Sequence, residues 1–176
     1  MLLQKLHHVA YRCTDVAETV DFYTKYLGLE LVHALTNERL PSSGVYAPHI
    51  HIFFAMADGS FIAFFEVPLA DVAQEDRTGA AWAQHLALEV ADMPTMMAAV
   101  QRLRDGGIPV VGPIDHHFCQ SVYFPDPSGH RLEMTVRSEN VDEMAQYHRE
   151  AAGIVAGWKD RAAKEGWSRG KTSVAS

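Results

Sequence analysis

The chain repeats itself. LHHVAYRCTDVAETVDFYTKYLG, from Leu6, and AQHLALEVADMPTMMAAVQRLRDGG, from Ala83, align so that His8 matches His85 and Asp15 matches Asp92, each pair 77 residues apart. Such self-similarity means two copies of one supersecondary unit that bury a core together. In each copy a strand-like run leads into residues at helical spacing: Val16, Val20, Tyr23 and Leu27 up to Gly28, and Met96, Met97, Val100 and Leu103 up to Gly106 and Gly107. Asp15 and Asp92 stand just before these runs, where a side-chain acceptor caps free backbone N–H groups. Three strand-like runs follow each helix: ELVHAL, HIHIFFAMA and FIAFFEV, then PVVGPI, CQSVYF and HRLEMTV. The turns MADGS and PDPSG join neighbouring antiparallel strands. Each half therefore reads strand–helix–strand–strand–strand, an α+β unit.

Two βαβββ modules are expected over 1–68 and 78–137, joined by a linker at 69–77 and forming one domain, 1–137. LTNERLPSSGVYAPH, residues 35–49, is expected as a long polar loop of functional length. Residues 138–176 are expected as a C-terminal helical extension and tail. Val141, Met144, Tyr147, His148, Ala151, Val155 and Trp158 fall on one helical face, which would pack on the body, on a dimer partner or over a cleft. SRGKTSVAS reads as a flexible tail.

Apolar residues make up 48% of the 176, enough for a real core. The net charge of −7 argues against nucleic acid as a partner, because phosphate binding needs clustered Lys and Arg. No apolar run has membrane-spanning length, so no membrane partner is expected. The first residues lack the pattern of a signal peptide, and two cysteines make no disulfide framework; a cytoplasmic protein is expected. The oddity is ten histidines, the commonest transition-metal ligand.

Strand alternation sorts them. His8, Ala10 and Arg12 share one face of their strand; His85, Ala87 and Glu89 share one face of theirs; Arg131, Glu133 and Thr135 share a third. The opposite faces are apolar. Three strands lining one concave surface would bring His8, His85 and Glu133 together, two imidazoles and a carboxylate, which suits a divalent first-row metal that keeps positions open for substrate. A lone strand histidine is more often a hydrogen-bonded surface residue. Two at equivalent places in a repeat, with a glutamate on the last strand, favour the metal. Aligning Gly59 with Gly129 sets Ala63 opposite Glu133, and Glu66, three residues on, is expected on the other face. The site thus has three protein ligands rather than four.

On these residues the chain resembles the vicinal oxygen chelate superfamily: glyoxalase I, type I extradiol dioxygenases, fosfomycin-resistance enzymes, methylmalonyl-CoA epimerases and bleomycin-resistance proteins. The resemblance implies paired βαβββ modules forming an open mixed barrel around a metal, with His8, His85 and Glu133 as its ligands. Ile114-Asp115-His116, Val122-Tyr123, Asp126-Pro127-Ser128-Gly129 and Glu133 resemble the extradiol dioxygenase signature most. That implies catalytic roles for Tyr123 and His116 and an Fe(II)-dependent ring cleavage that inserts O₂ into a catechol-type aromatic; Mn(II), Ni(II), Co(II) and Zn(II) suit the same ligands. FIAFFEV carries no histidine where those dioxygenases use a catalytic one, and His49 or His51 on the preceding strand are the candidates to stand in. A homodimer is expected. The alternatives are a glyoxalase I-like lyase or isomerase, which would use Glu66 as a fourth ligand, and a non-catalytic small-molecule-binding protein of the bleomycin-resistance type. His130, in the hairpin turn, is expected to be structural or solvent-facing.

Overall fold

Strand alternation and two capped helices build a pair of similar modules. The structure, a computed structural model, describes residue 2 and residues 4–40, 42–68 and 83–166. The linker expected at 69–77 and the tail from 168 lie outside the described residues. The chain falls into two compact units, Met1–Arg137 and Ser138–Ser176.

In the first unit the element order is β1 (His8–Arg12), α1 (Val16–Lys25), β2 (Glu30–Arg39), β3 (Tyr46–Ala55) and β4 (Phe61–Glu66), then β5 (Leu86–Glu89), α2 (Met93–Asp105), β6 (Val111–Asp115), β7 (Cys119–Pro125) and β8 (Arg131–Arg137). The strands form two four-stranded sheets ordered β1-β4-β3-β2 and β5-β8-β7-β6. In each sheet the first strand runs parallel to the last, and the other pairings are antiparallel. The two sheets remain separate ladders, and no closed barrel forms among the described residues. The repeat extends to register: Ala10 pairs with Ala63 as Ala87 pairs with Glu133.

Both helices start as the sequence implies. The Asp15 side chain accepts from the Glu18 N–H at 2.9 Å and Asp92 from the Thr95 N–H at 2.8 Å. Met96, Ala99, Val100 and Leu103 are buried along α2, whereas Met97 is 37% exposed. Met97 was expected on the buried face; Ala99 takes that place, three positions after Met96.

One core serves both modules. Tyr23, Ile52, Phe54, Ile62 and Phe64 of the first pack in the same cluster as Met96, Val100, Leu103, Val122, Leu132 and Met134 of the second. A fully buried Phe contributes about 1.5–3 kcal/mol by leaving water. Buried polar contacts tie the modules at fixed points. Tyr23 OH donates to Asp126 Oδ2 at 3.1 Å, and His130 Nε2 donates to the Arg12 carbonyl at 2.6 Å. His130, half-buried with its ring 5.0 Å from that of Tyr11, is therefore structural.

The polar segment 35–49 is mostly strand, not loop. β2 runs on to Arg39 and β3 begins at Tyr46, with Thr36 opposite Ile50 and Asn37 opposite His49. Polar side chains do not prevent pairing in a partly exposed ribbon, because the ladder itself satisfies the backbone. A register shift between Asn37 and Arg39 takes up the irregularity near the tip.

The second unit is one long helix, α3 (Val141–Lys164). Asn140 caps it, accepting from the Asp142 and Glu143 N–H groups at 3.0 Å, while Glu143 reaches back to the Asn140 N–H at 2.9 Å. No helix among the described residues is long and apolar enough to cross a membrane.

Candidate functional site

Each sheet turns its apolar face to the shared core, so the opposite faces look outward. On the second sheet that outward face carries Cys119, Ser121 and Tyr123 from β7 and Arg131, Glu133 and Thr135 from β8. Tyr123 and Glu133 are direct partners across the ladder, and Ala87 of β5 flanks Glu133 on its other side. Ala87 has too small a side chain to cover the carboxylate. His85, just before β5, reaches it instead: His85 Nε2 lies 2.9 Å from Glu133 Oε2. Glu133 is only 5% exposed, a buried carboxylate in direct contact with this imidazole.

Tyr123 is 8% exposed. Its hydroxyl is 2.9 Å from His116 Nε2, and the Arg131 guanidinium lies over its ring, 4.2 Å from the centroid. Burial raises the phenol above its ordinary pKa; the Glu133 carboxylate adds to this, and Ser121 and Arg131 oppose it. A tight turn delivers His116. The His116 N–H donates to the Cys119 carbonyl at 2.9 Å, Asp115 accepts from the His117 N–H at 2.7 Å, and His117 takes the left-handed conformation, φ 71°. Upstream, Gly112 at φ 110° lets β6 approach β7: a Cβ there would sit 2.7 Å from the Ser121 carbonyl oxygen. Four polar side chains named from the sequence, His85, Glu133, Tyr123 and His116, thus form one connected cluster. Arg131 belongs to it too; its alternation with Glu133 was the available signal.

His8 is elsewhere. It lies on the outward face of the first sheet, its Nδ1 2.8 Å from His7 Nδ1 and its ring 6.0 Å from that of Phe53. Among the described residues no group of three or more His, Cys, Asp or Glu side chains is gathered closely enough to hold a metal ion. The three residues expected together from the sequence thus stand on two sheets, His8 on β1 and Glu133 on β8, with His85 just before β5. The reason is topological: β1 and β5 are edge strands of different sheets, and both sheets face inward to the same core.

Glu66 has a partner of its own. Its Oε2 accepts from the Val16 N–H at 2.6 Å, so the carboxylate caps α1 on the core side and leaves the outward face. The fourth-ligand position holds buried Ala63. Around it the outward face of the first sheet is aromatic. His51 stacks on Phe65 at 3.6 Å and lies 4.1 Å from Phe53, while Phe54 and Phe64 point to the core. The His51 Nε2 is enclosed with no hydrogen-bond partner. Burial lowers its pKa, with His8, His49 and His33 adding to the effect.

The model of the glyoxalase/bleomycin resistance protein/dioxygenase superfamily matches residues 5–134, and the chain belongs to that superfamily. No curated protein sequence matches it. Among solved structures, a glyoxylase/bleomycin resistance protein/dioxygenase domain from Frankia sp. EAN1pec is 19% identical with a TM-score of 0.62, covering 77% of this chain and 99% of that one. The genomically encoded fosfomycin resistance protein FosX from Listeria monocytogenes, complexed with Mn(II) and sulfate ion, is 20% identical with a TM-score of 0.57, covering 82% and 99%. A putative dioxygenase from Bacillus subtilis subsp. subtilis str. 168 is 27% identical with a TM-score of 0.59; the match covers 77% of this chain and 41% of that one.

Proposed function

We propose that the protein is a metal-dependent dioxygenase of the extradiol type, acting on a catechol-like aromatic, with a site shared between two copies. The observation that carries the reading is the chain His116–Tyr123–Glu133–His85, in which an acid–base pair stands beside a buried carboxylate and an imidazole. The donor set fits a divalent cation: a carboxylate buried at 5% exposure has most to gain from one. His85 and Glu133 would hold the metal, and His8 of a second copy would complete the set. Bound Fe(II) would supply a Lewis acid and a one-electron donor for O₂.

The protein residues then divide the remaining work. A catechol carries two acidic hydroxyls. Tyr123, with its raised pKa, stays protonated at neutral pH and donates a hydrogen bond. His116 fixes the direction of that hydroxyl and relays its proton. Arg131 adds positive charge where a catecholate would bring negative. His51, arriving with His8 from the facing module, supplies an imidazole with a free nitrogen and a low pKa, suited to act as base. Phe53 and Phe65 offer a flat apolar wall to an aromatic ring. The placement of Glu66 weighs against a glyoxalase I-like four-ligand site.

Two experiments test this. After anaerobic Fe(II) loading, oxygen uptake and ring-fission absorbance should appear with a catechol from a panel; silence across the panel refutes the dioxygenase reading. Separately, His8→Ala and His85→Ala should each be inactive, and their mixture should regain about a quarter of wild-type activity, since half the random dimers hold one intact site of two. No recovery on mixing refutes the shared site.

A further inference from the structure

The functional site leaves α3 unused. Val141, Met144, His148, Ala151, Val155 and Trp158 follow one another by alternating steps of three and four residues, the spacing that keeps a seam facing a second helix. Val141 is 84% exposed, Val155 68% and Trp158 61%, a mostly apolar stripe along a helix of about 36 Å at 1.5 Å per residue. The opposite face is polar and internally braced, with Gln146 donating to Glu150 and Arg161 to Glu165, both at 2.9 Å. The first turn is acidic, Asp142 and Glu143, and the last turn basic, Arg161 and Lys164.

We propose that α3 pairs antiparallel with α3 of a second copy of this chain, about a two-fold axis that crosses the seam between Ala151 and Val155. Three features select that occupant and orientation. Antiparallel pairing sets each acidic first turn against the other copy's basic last turn, twice by symmetry, and opposes the helix dipoles; parallel pairing would stack like charges. One register satisfies seam and charges together. It places Val155 on Ala151 and Trp158 on His148 of the second copy, and sets the end that carries Asp142 and Glu143 level with Arg161 and Lys164. Ala151 on the seam and Ala152 beside it are small at the level of the axis, so the two backbones can approach closely where they cross.

Site-directed cross-linking in the full-length protein tests the register. Cys13 and Cys119 are buried, so the wild type serves as the silent control. His148→Cys and Trp158→Cys, each alone, should give no disulfide dimer, because like positions lie about 15 Å apart along the axis at 1.5 Å per residue. A mixture of the two should give a mixed dimer on oxidation. A cross-link in either variant alone indicates parallel pairing and overturns the proposal, as does a wild type that sediments as a monomer, or a mixture that stays uncross-linked. Val155→Glu should weaken dimerisation of α3, read as cross-linking in the mixture, by at least about tenfold while leaving the thermal midpoint unchanged. His8→Ala should leave the cross-link intact, which separates this contact from the shared site.

Discussion

Glu66 decides between a structural and a metal-binding reading of the first module. Its carboxylate accepts the Val16 N–H at 2.6 Å, at the N-terminus of α1. A hydrogen bond to a charged group contributes about 1.5–3 kcal/mol, and a negative charge at a helix N-terminus about 0.3–1 kcal/mol. Glu66 is half-buried rather than enclosed, so the lower part of that range applies, and Glu66→Ala should cost about 2 kcal/mol. For a unit of this size that is a fall in Tm of about 6–8 °C. Glu66→Gln keeps an acceptor and loses the charge, so it should cost about half as much. Neither change touches the outward face. Mn(II) affinity, read from the electron paramagnetic resonance signal of the free ion, should therefore stay within about twofold of wild type, well under the change expected for a lost ligand. Calorimetry of the three proteins supplies the stability arm. Metal affinity that falls tenfold or more with an unchanged Tm would refute the capping role and restore the four-ligand, glyoxalase-like site.

Glu133→Ala should weaken Mn(II) binding by more than the roughly 100-fold that an outer-shell change costs, and His85→Ala should match it in the same titration. Tyr123→Phe should lower kcat about 10²–10⁴-fold, as loss of an acid–base group does, with metal affinity unchanged. Burial raises the Asp126 pKa above the ordinary carboxylate value, so the folded state holds that proton more tightly than the unfolded one. Its contribution to stability is then complete below the unfolded pKa and lost as pH rises through the folded one. Chemical denaturation of wild type and Asp126→Asn across that window should show the balance moving toward the variant as pH rises; a gap constant with pH refutes it.

Much of this was readable from the chain because it is local. The repeat, the two capping aspartates and the Gly-containing turns act within a few residues, and the period of two fixes which side chains share a face. That is why Arg131, Glu133 and Thr135 separate correctly from Leu132, Met134 and Val136, and why Glu66 falls opposite Ala63. The long loop at 35–49 was misjudged because polarity speaks of exposure, whereas pairing depends on a partner strand. Met97 was misjudged because the buried side of α2 runs through Met96, Ala99, Val100 and Leu103, and Met97 falls outside it.

Order along the chain is enough to set two βαβββ modules, their apolar and polar faces, and the presence of His85, Glu133, Tyr123 and His116 on one of them. Periodicity says which face a residue occupies and nothing about what that face meets. Long-range packing settled the rest: both sheets turn inward to one core, Glu66 ends on the α1 backbone, and His8 stands on a different sheet from His85 and Glu133. These are outcomes of contact between segments some fifty to eighty residues apart, where burial of the shared core outweighs any local preference.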